Sequence, residues 1–162
     1  MKTAEILSKY KRTVSALLQV GEKGISFYVD KKLVGETFSE YDEDKDETNT
    51  FYQTWQLGYY ELKLNEKLIS SFKLYQLPHC CAYAVSCNSF VTPEFRGKRI
   101  ATFLNHLRQD ICRELGYSGL LCTDIETNTA QRKLLATNGW KDIHSLVNKR
   151  TKNHVYLSVI NL

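Results

Sequence analysis

The stretch that most limits what this chain can become is residues 91–102, Val-Thr-Pro-Glu-Phe-Arg-Gly-Lys-Arg-Ile-Ala-Thr. It reads as the end of a strand turning into a helix, with Arg96, Lys98 and Arg99 crowded around Gly97 at the join. The first N–H groups of a helix lack intrahelical partners, and the macrodipole places about half a positive charge there. Glycine lets a ligand approach the backbone, and three cations suit a polyanion such as a diphosphate better than a single carboxylate. Taken alone, a basic tetrapeptide also reads as a solvated helix start. Its flanks argue for a rigid site. Upstream, Cys80 to Val91 is a run of small, β-branched and aromatic residues closed by Pro93, as in a buried strand. Downstream, Ile100, Phe103, Leu104, Leu107, Ile111 and Leu115 recur at helical spacing, and Gly116 follows as a stop.

These residues resemble the GNAT superfamily of acyl-CoA-dependent N-acyltransferases. In that family an Arg/Gln-x-x-Gly-x-Gly/Ala segment follows the fourth strand and binds the coenzyme A pyrophosphate through backbone N–H groups. The matching residues here are Arg96-Gly97-Lys98-Arg99-Ile100-Ala101, behind a Val91-x-Pro93-Glu94-Phe95 lead, and Arg99 stands at one glycine position of the pattern. A second segment, Asn128 through Trp140, resembles the family's Asn-x-x-Ala-x-x-x-Tyr-x-x-x-Gly-Phe, with Asn128, Gly139 and Trp140 in register. The alanine position is Gln131 and the tyrosine position, often the general acid in the family, is Leu135. The resemblance covers roughly residues 56 to 162.

What the resemblance implies is a mixed α/β fold, with a mostly antiparallel sheet whose central parallel strands splay apart, flanked by helices. Strand order agrees: a hairpin, the strand before the basic bend, a helix, the strand Leu120–Ile125, a helix and a last hairpin, with right-handed crossovers. In the family the pantetheine arm lies in the splay, bonded to backbone of the fourth strand. By that resemblance the acyl-CoA contacts fall on Phe90, Val91, Arg96, Gly97, Lys98, Arg99, Ile100, Ala101, Thr102 and Asn128. The thioester then points toward Tyr83, Ser86 and Cys87 on one side and Asp124 on the other.

A chain of 162 residues makes one domain, able to bury close to about 70% of its unfolded surface. We expect a single domain over 1–162, with a divergent portion over 1–55 and an acyl-CoA-binding portion over 56–162. Hydrophobic content of 43% with 25% charged residues is that of an ordinary globular protein, and no apolar run approaches the roughly 18 residues of a membrane span. The first twenty positions are broken by Lys2, Glu5, Lys9, Lys11 and Arg12, so no secretory segment is expected and the protein is placed in the cytoplasm. Five cysteines without Cys-x-x-Cys spacing point to reduced, mostly buried thiols and to no metal site. A cysteine nucleophile finds no partner, because His79 next to Cys80 would point to the opposite face of the strand. Net charge is +4 with a pI near 8.7, too mild and too spread to demand nucleic acid. The other dense basic group, Lys149-Arg150-Thr151-Lys152, reads as a solvated turn between two strands.

Toward the start, Ile6, Leu7, Tyr10, Val14, Leu17 and Leu18 form a helical stripe ended by Gly21 and Gly24, and strands are expected at Ile25–Val29 and Leu33–Phe38. Glu40, Asp42, Glu43, Asp44, Asp46 and Glu47 read as an acidic loop or, functionally, as a lip that attracts a cationic amine. A hairpin is expected from Tyr59–Leu64 and Leu68–Tyr75, and another from Ile143–Asn148 and Val155–Ile160.

Acyl transfer to an amine needs a deprotonated nitrogen, a polarised carbonyl and a proton for the leaving thiolate. The expectation is direct attack of a primary amine, of a small molecule or a protein, on acetyl-CoA. Asp124 takes the amine proton, directly or through water, and Tyr83 is the nearest proton donor. Asp124 reads equally as a capping or ion-paired carboxylate, and Tyr83 as a core aromatic. Leu135 and Arg99 favour a different class of protein, a fold relative that binds coenzyme A or a protein partner without turnover. The acceptor is not legible, and exposed edge strands in the last hairpin would allow a homodimer.

Overall fold

The computed structural model describes residues 3–30, 36–42, 47–54, 56–78 and 80–162, with side chains over 4–29, 57–78 and 80–162. Helix α1 (Thr3–Leu18) leads by a 3-10 turn into β1 (Ile25–Asp30), and two strands, β2 (Glu36–Asp42) and β3 (Glu47–Thr54), pair only with each other. Then come β4 (Gln56–Leu64), β5 (Lys67–Gln76), β6 (Tyr83–Val91), α2 (Ile100–Glu114), β7 (Gly119–Ile125), α3 (Thr129–Thr137), β8 (Lys141–Val147) and β9 (His154–Asn161). The main sheet has seven strands in the order β1-β4-β5-β6-β7-β9-β8, and its one parallel pair is β6 with β7.

Glu40, Asp42 and Glu47 of the acidic run correct the expected loop, because they lie in strands. Thr, Phe and Tyr residues around them favour extended backbone, and β2 and β3 form an antiparallel ribbon through Asp42↔Glu47. Glu43, Asp44 and Asp46, the side chains of Glu40, Asp42 and Glu47, the stretch 31–35 and His79 lie outside the described residues. The β4–β5 hairpin turns on Asn65 and Glu66, both at positive φ (46° and 65°), as a two-residue turn with the twist of the strands requires.

One face of the sheet makes the core. Along β5, Phe72 and Leu74 are buried while Ser71 and Lys73 are only partly covered, the period of two expected of a strand. Tyr60 of β4 stacks on Phe72 at 4.8 Å. Against this face pack Ile100, Phe103, Leu104, Leu107 and Ile111 of α2, all nearly inaccessible. Helix α1 covers α2 in turn: Ile6, Tyr10 and Val14, one turn apart, are buried, and Tyr10 meets Phe103 edge to face at 5.1 Å and donates to Asp110 at 2.7 Å.

Helix α2 stops where the sequence places a glycine. Gly116 adopts φ 85°, Tyr117 N–H donates to Cys112 C=O and Gly116 N–H to Arg113 C=O, the paired bonds of a left-handed helix stop. Gly139, at φ 83°, ends α3 the same way, with Trp140 N–H donating to Leu135 C=O, and the Trp140 indole then donates to Asn105 of α2 at 2.9 Å. The expected strand from Cys80 begins instead at Tyr83, because Cys81 and Ala82 form a turn. At the other edge β8 is exposed along its whole length, Ile143 and Val147 most of all. Among the described residues no helix is long and apolar enough to cross a membrane.

Candidate active site

Strands β6 and β7 are hydrogen-bonded over three residue pairs only, Tyr83↔Gly119, Ala84↔Leu120 and Val85↔Leu121. Beyond that they part, and β6 supplies the reason. Its register with β5 moves from Lys73↔Cys87 to Ser71↔Phe90, so two steps along β5 face three along β6, and Asn88 in this bulge sits at φ 51°. A bulge bends and twists the strand that carries it, here away from β7.

Two cavities follow the opening. The larger, of about 680 Å³, is lined by Ser89, Val91, Phe95, by Arg96, Gly97, Arg99, Ile100 and Ala101 of the bend, and by Asn128, Ala130, Gln131 and Leu134 at α3. The second, of about 310 Å³, lies between the parted strands and includes Ser86, Cys87, Arg108, Cys122, Thr123 and Asp124. They share Ser89, Asn128 and Gln131 in their walls, and so adjoin along the opening.

At the mouth of the crevice the backbone is pinned and its donors are free. Phe95 N–H donates to Thr92 C=O, Thr92 is tied by both its N–H and its hydroxyl to β5, and Arg96 Nε donates to Val91 C=O at 3.0 Å. The first helical bond of α2 runs from Phe103 N–H to Arg99 C=O, so Ile100, Ala101 and Thr102 present N–H groups with no acceptor inside the helix. No side chain caps this helix. Helix α3 is the contrast, because Asn128 Oδ1 accepts from Gln131 N–H at 3.3 Å. Gly97 lies at φ 77°, and a Cβ built on it would meet nothing within 4 Å, so there is room for a group against the backbone. Arg99 occupies the left-handed region at φ 62°, a conformation suited to the glycine it replaces, and its side chain lines both the larger cavity and a groove between α1 and α2. Thr102 faces that groove, and Lys98 Nζ lies 5.4 Å from the centre of the Phe95 ring.

Deeper in, alternation puts Ala84 and Ser86 of β6 and Leu120, Cys122 and Asp124 of β7 on the helix-covered face. The Asp124 side chain is 3% exposed and faces Arg132 Nη1 at 3.3 Å. Arg132 also grips Asp142 at 2.6 Å, stacks over the Tyr156 ring at 3.8 Å, and Ser158 donates to Asp142 at 2.7 Å. Burial pushes the Asp124 carboxyl above its ordinary value, Arg132 pulls it down, and Asp142 adds to the rise. The hydrogen bond from Arg132 holds Asp142 below its usual range. Arg108 of α2 is 4% exposed and donates through Nη1 to Ser86 Oγ at 2.8 Å.

Of the residues expected from sequence, the structure brings Val91, Arg96, Gly97, Arg99, Ile100, Ala101, Asn128 and Asp124 to the crevice. Phe90, Lys98 and Thr102 flank it without lining it. Tyr83 is not brought to Asp124. It lies at the closed end, on the opposite face from Ser86, and a Cβ on its partner Gly119 would fall 2.3 Å from its ring. Asp124 is five residues beyond Gly119, about 16 Å along the strand. Leu135 is buried in the core, as is Cys112, while Cys80 and Cys87 are half-buried and Cys81 is exposed, so fewer thiols are buried than expected. Burial pushes the Cys112 and Cys122 thiols up to about 12, which keeps both protonated and poor nucleophiles.

Three site residues were missed in the sequence. Arg108 had a signal, a charge inside the apolar stripe between Leu104 and Ile111. Arg132 had none, since its partners Asp124 and Asp142 come from other elements, while Gln131 stood in the Asn128 motif without being read as a lining residue.

Comparison with known proteins agrees with this geometry. The model of the acetyltransferase (GNAT) family matches residues 27–140. That match begins well before residue 56 and ends before the last hairpin. Similar solved structures include the IAA acetyltransferase from Bacillus cereus, at 14% identity and TM-score 0.56 over 65% of this chain and 77% of that one. The NatC complex bound to Gag peptide and CoA gives 15% identity and TM-score 0.58 over 64% and 70%. Mutant forms of the spermidine/spermine N-acetyltransferase SpeG from Vibrio cholerae give 18% and 0.57 over 64% and 66%. No functionally curated protein matches by sequence. With the parted parallel strands, the uncapped helix after the first of them and a family match over most of its length, the chain belongs to the GNAT family of acetyltransferases.

Proposed function

We propose that this protein moves an acetyl group from acetyl-CoA to a primary amine by direct attack. The observation that carries the reading is the pair of adjoining cavities that leads from the Gly97 bend to Asp124. The bend fits a diphosphate, because the open space at Gly97 and the N–H groups of Ile100 and Ala101, which have no acceptor inside the helix, lie at the same mouth as Arg96 and Arg99. The parted edges of β6 and β7 offer unpaired backbone to an extended arm, as Ser89 and Val91 line the path inward. Coenzyme A, when bound there, supplies the activated acyl group. Two similar structures, the NatC complex bound to CoA and Mycobacterium smegmatis RimJ in complex with CoA-disulfide, support that choice of carrier.

At the inner end Asp124 takes the amine proton. Its burial raises its basicity over that of a surface aspartate, and Arg132 holds it in one orientation. The Ser86 hydroxyl, whose oxygen accepts from Arg108, keeps its own proton to offer to the negative charge that develops as the thioester breaks. Tyr83 has no part in this reading. A second reading, a binder without turnover, is favoured by one feature: Leu135, with no proton to give, fills the family's tyrosine position and is buried.

One experiment separates the two. Acetyl-CoA at 100 times its dissociation constant should add about 2.7 kcal/mol of stability in a thermal titration. Thiol release across a panel of amines then supports the enzyme, and stabilisation with no release supports the binder.

A further inference from the structure

We infer that the floor of the crevice receives a carboxylate carried by one of the two substrates, and that the Arg108 guanidinium is its receptor. The inference rests on the acyl-CoA-dependent transfer to an amine proposed above and names the chemical class of one of its two substrates.

Arg108 is a buried cation without a counter-anion among the described residues. Its Nη1 donates to a neutral hydroxyl, Ser86 Oγ, at 2.8 Å, and its guanidinium carbon lies 5.9 Å from the centre of the Phe72 ring. Its Nε has no hydrogen-bond partner. The described carboxylates nearest the crevice are committed elsewhere, Asp124 and Asp142 to Arg132, and Glu94 to Lys67. The neighbouring thiols of Cys112 and Cys122 stay protonated and carry no charge. Removing a charge from water is expensive unless an opposite charge meets it, and a guanidinium offers five donors of which Ser86 uses one. The cavity Arg108 lines is polar and of about 310 Å³, enough for a short chain ending in a carboxylate. An acetyl methyl group would have no use for this cation. A carboxylate, taken by two parallel N–H···O bonds, would complete it.

The carboxylate has two sources. It ends the acyl chain of a dicarboxylic half-thioester, or it belongs to an α-amino acid acceptor whose amine then faces Asp124. Calorimetry and transfer assays on the whole chain distinguish them. One arm compares succinyl-CoA with butyryl-CoA. The other supplies acetyl-CoA and compares amino acids with their amides. The expected result is a preference for the charged ligand of about tenfold or more in one arm. That preference should disappear in Arg108→Met and persist in part in Arg108→Lys. Should Arg108→Met fail to fold, the wild-type preference and its weakening in Arg108→Lys carry the test. Equal use of charged and uncharged ligands in both arms, or a preference that survives Arg108→Met, overturns the inference while leaving coenzyme A binding intact. Absence of any heat with coenzyme A itself overturns the acetyl-transfer reading, and this inference with it.

Discussion

At the Tyr83–Gly119 end of the parallel pair the strands are bonded through their backbones and the Tyr83 ring fills the space a side chain on Gly119 would need. A few residues on, the same two strands are unpaired, and what lies between them is Ser86, Arg108, Thr123 and Asp124. The closed end is held by its backbone ladder and by packing, the open end by the ion pairs of Arg132 from α3 and the hydrogen bond from Arg108 of α2 to Ser86. Backbone that leaves its ladder needs other partners, so parting the strands both makes room and creates a demand for polar ligands. The lesson is that a stable sheet hosts a reactive crevice by ending its pairing early, not by weakening its core.

The largest effect should come from the open end. Asp124→Asn keeps the shape and removes the base, so transfer should fall at least about 100-fold in steady-state assays, and a loss under about tenfold would remove Asp124 from the chemistry. The closed end should respond in stability alone. Gly119→Ala drives a methyl into the Tyr83 ring and to 3.1 Å from Ile160 C=O, which should cost about 1–3 kcal/mol in urea unfolding with transfer unchanged. The bulge between the ends is testable through Asn88→Val. A β-branched residue at φ 51° should cost on the order of 1–2 kcal/mol and raise the KM for acetyl-CoA, whereas unchanged values would mean that the bulge does not set the splay.

The smallest effect lies on the pH axis. Asp124 must be ionised to accept a proton, and burial raises its pKa, so the acid limb of kcat/KM should sit above the ordinary aspartate range. Asp142→Asn removes a charge that adds to the rise and frees Arg132 for Asp124, so the limb should move to lower pH. A shift upward would contradict the charge relation drawn between the two.

Much of this was legible in local pattern. Helices α1 and α2, the four strands of the two outer hairpins, the Gly116 and Gly139 stops and the basic bend all follow from spacing and turn chemistry within about fifteen residues. The acidic run misled because charge was weighed above the alternating Thr, Phe and Tyr around it, which favour a ribbon. Tyr83 misled for another reason. Its position near Asp124 was inferred along the strand, and neither the three-pair limit of the ladder nor the face it occupies is written in its neighbours.

By itself the sequence determined the family, most of the elements and the basic glycine bend, because each depends on contacts short in chain distance. Tertiary structure alone decided what the crevice contains. Arg132 meets Asp124 and Asp142, Arg108 meets Ser86, and Asn105 meets Trp140 across 8 to 35 residues of chain. A charge becomes a base or an anion receptor only through the burial and partners it acquires on folding, and those belong to the packed chain and not to any one segment of it.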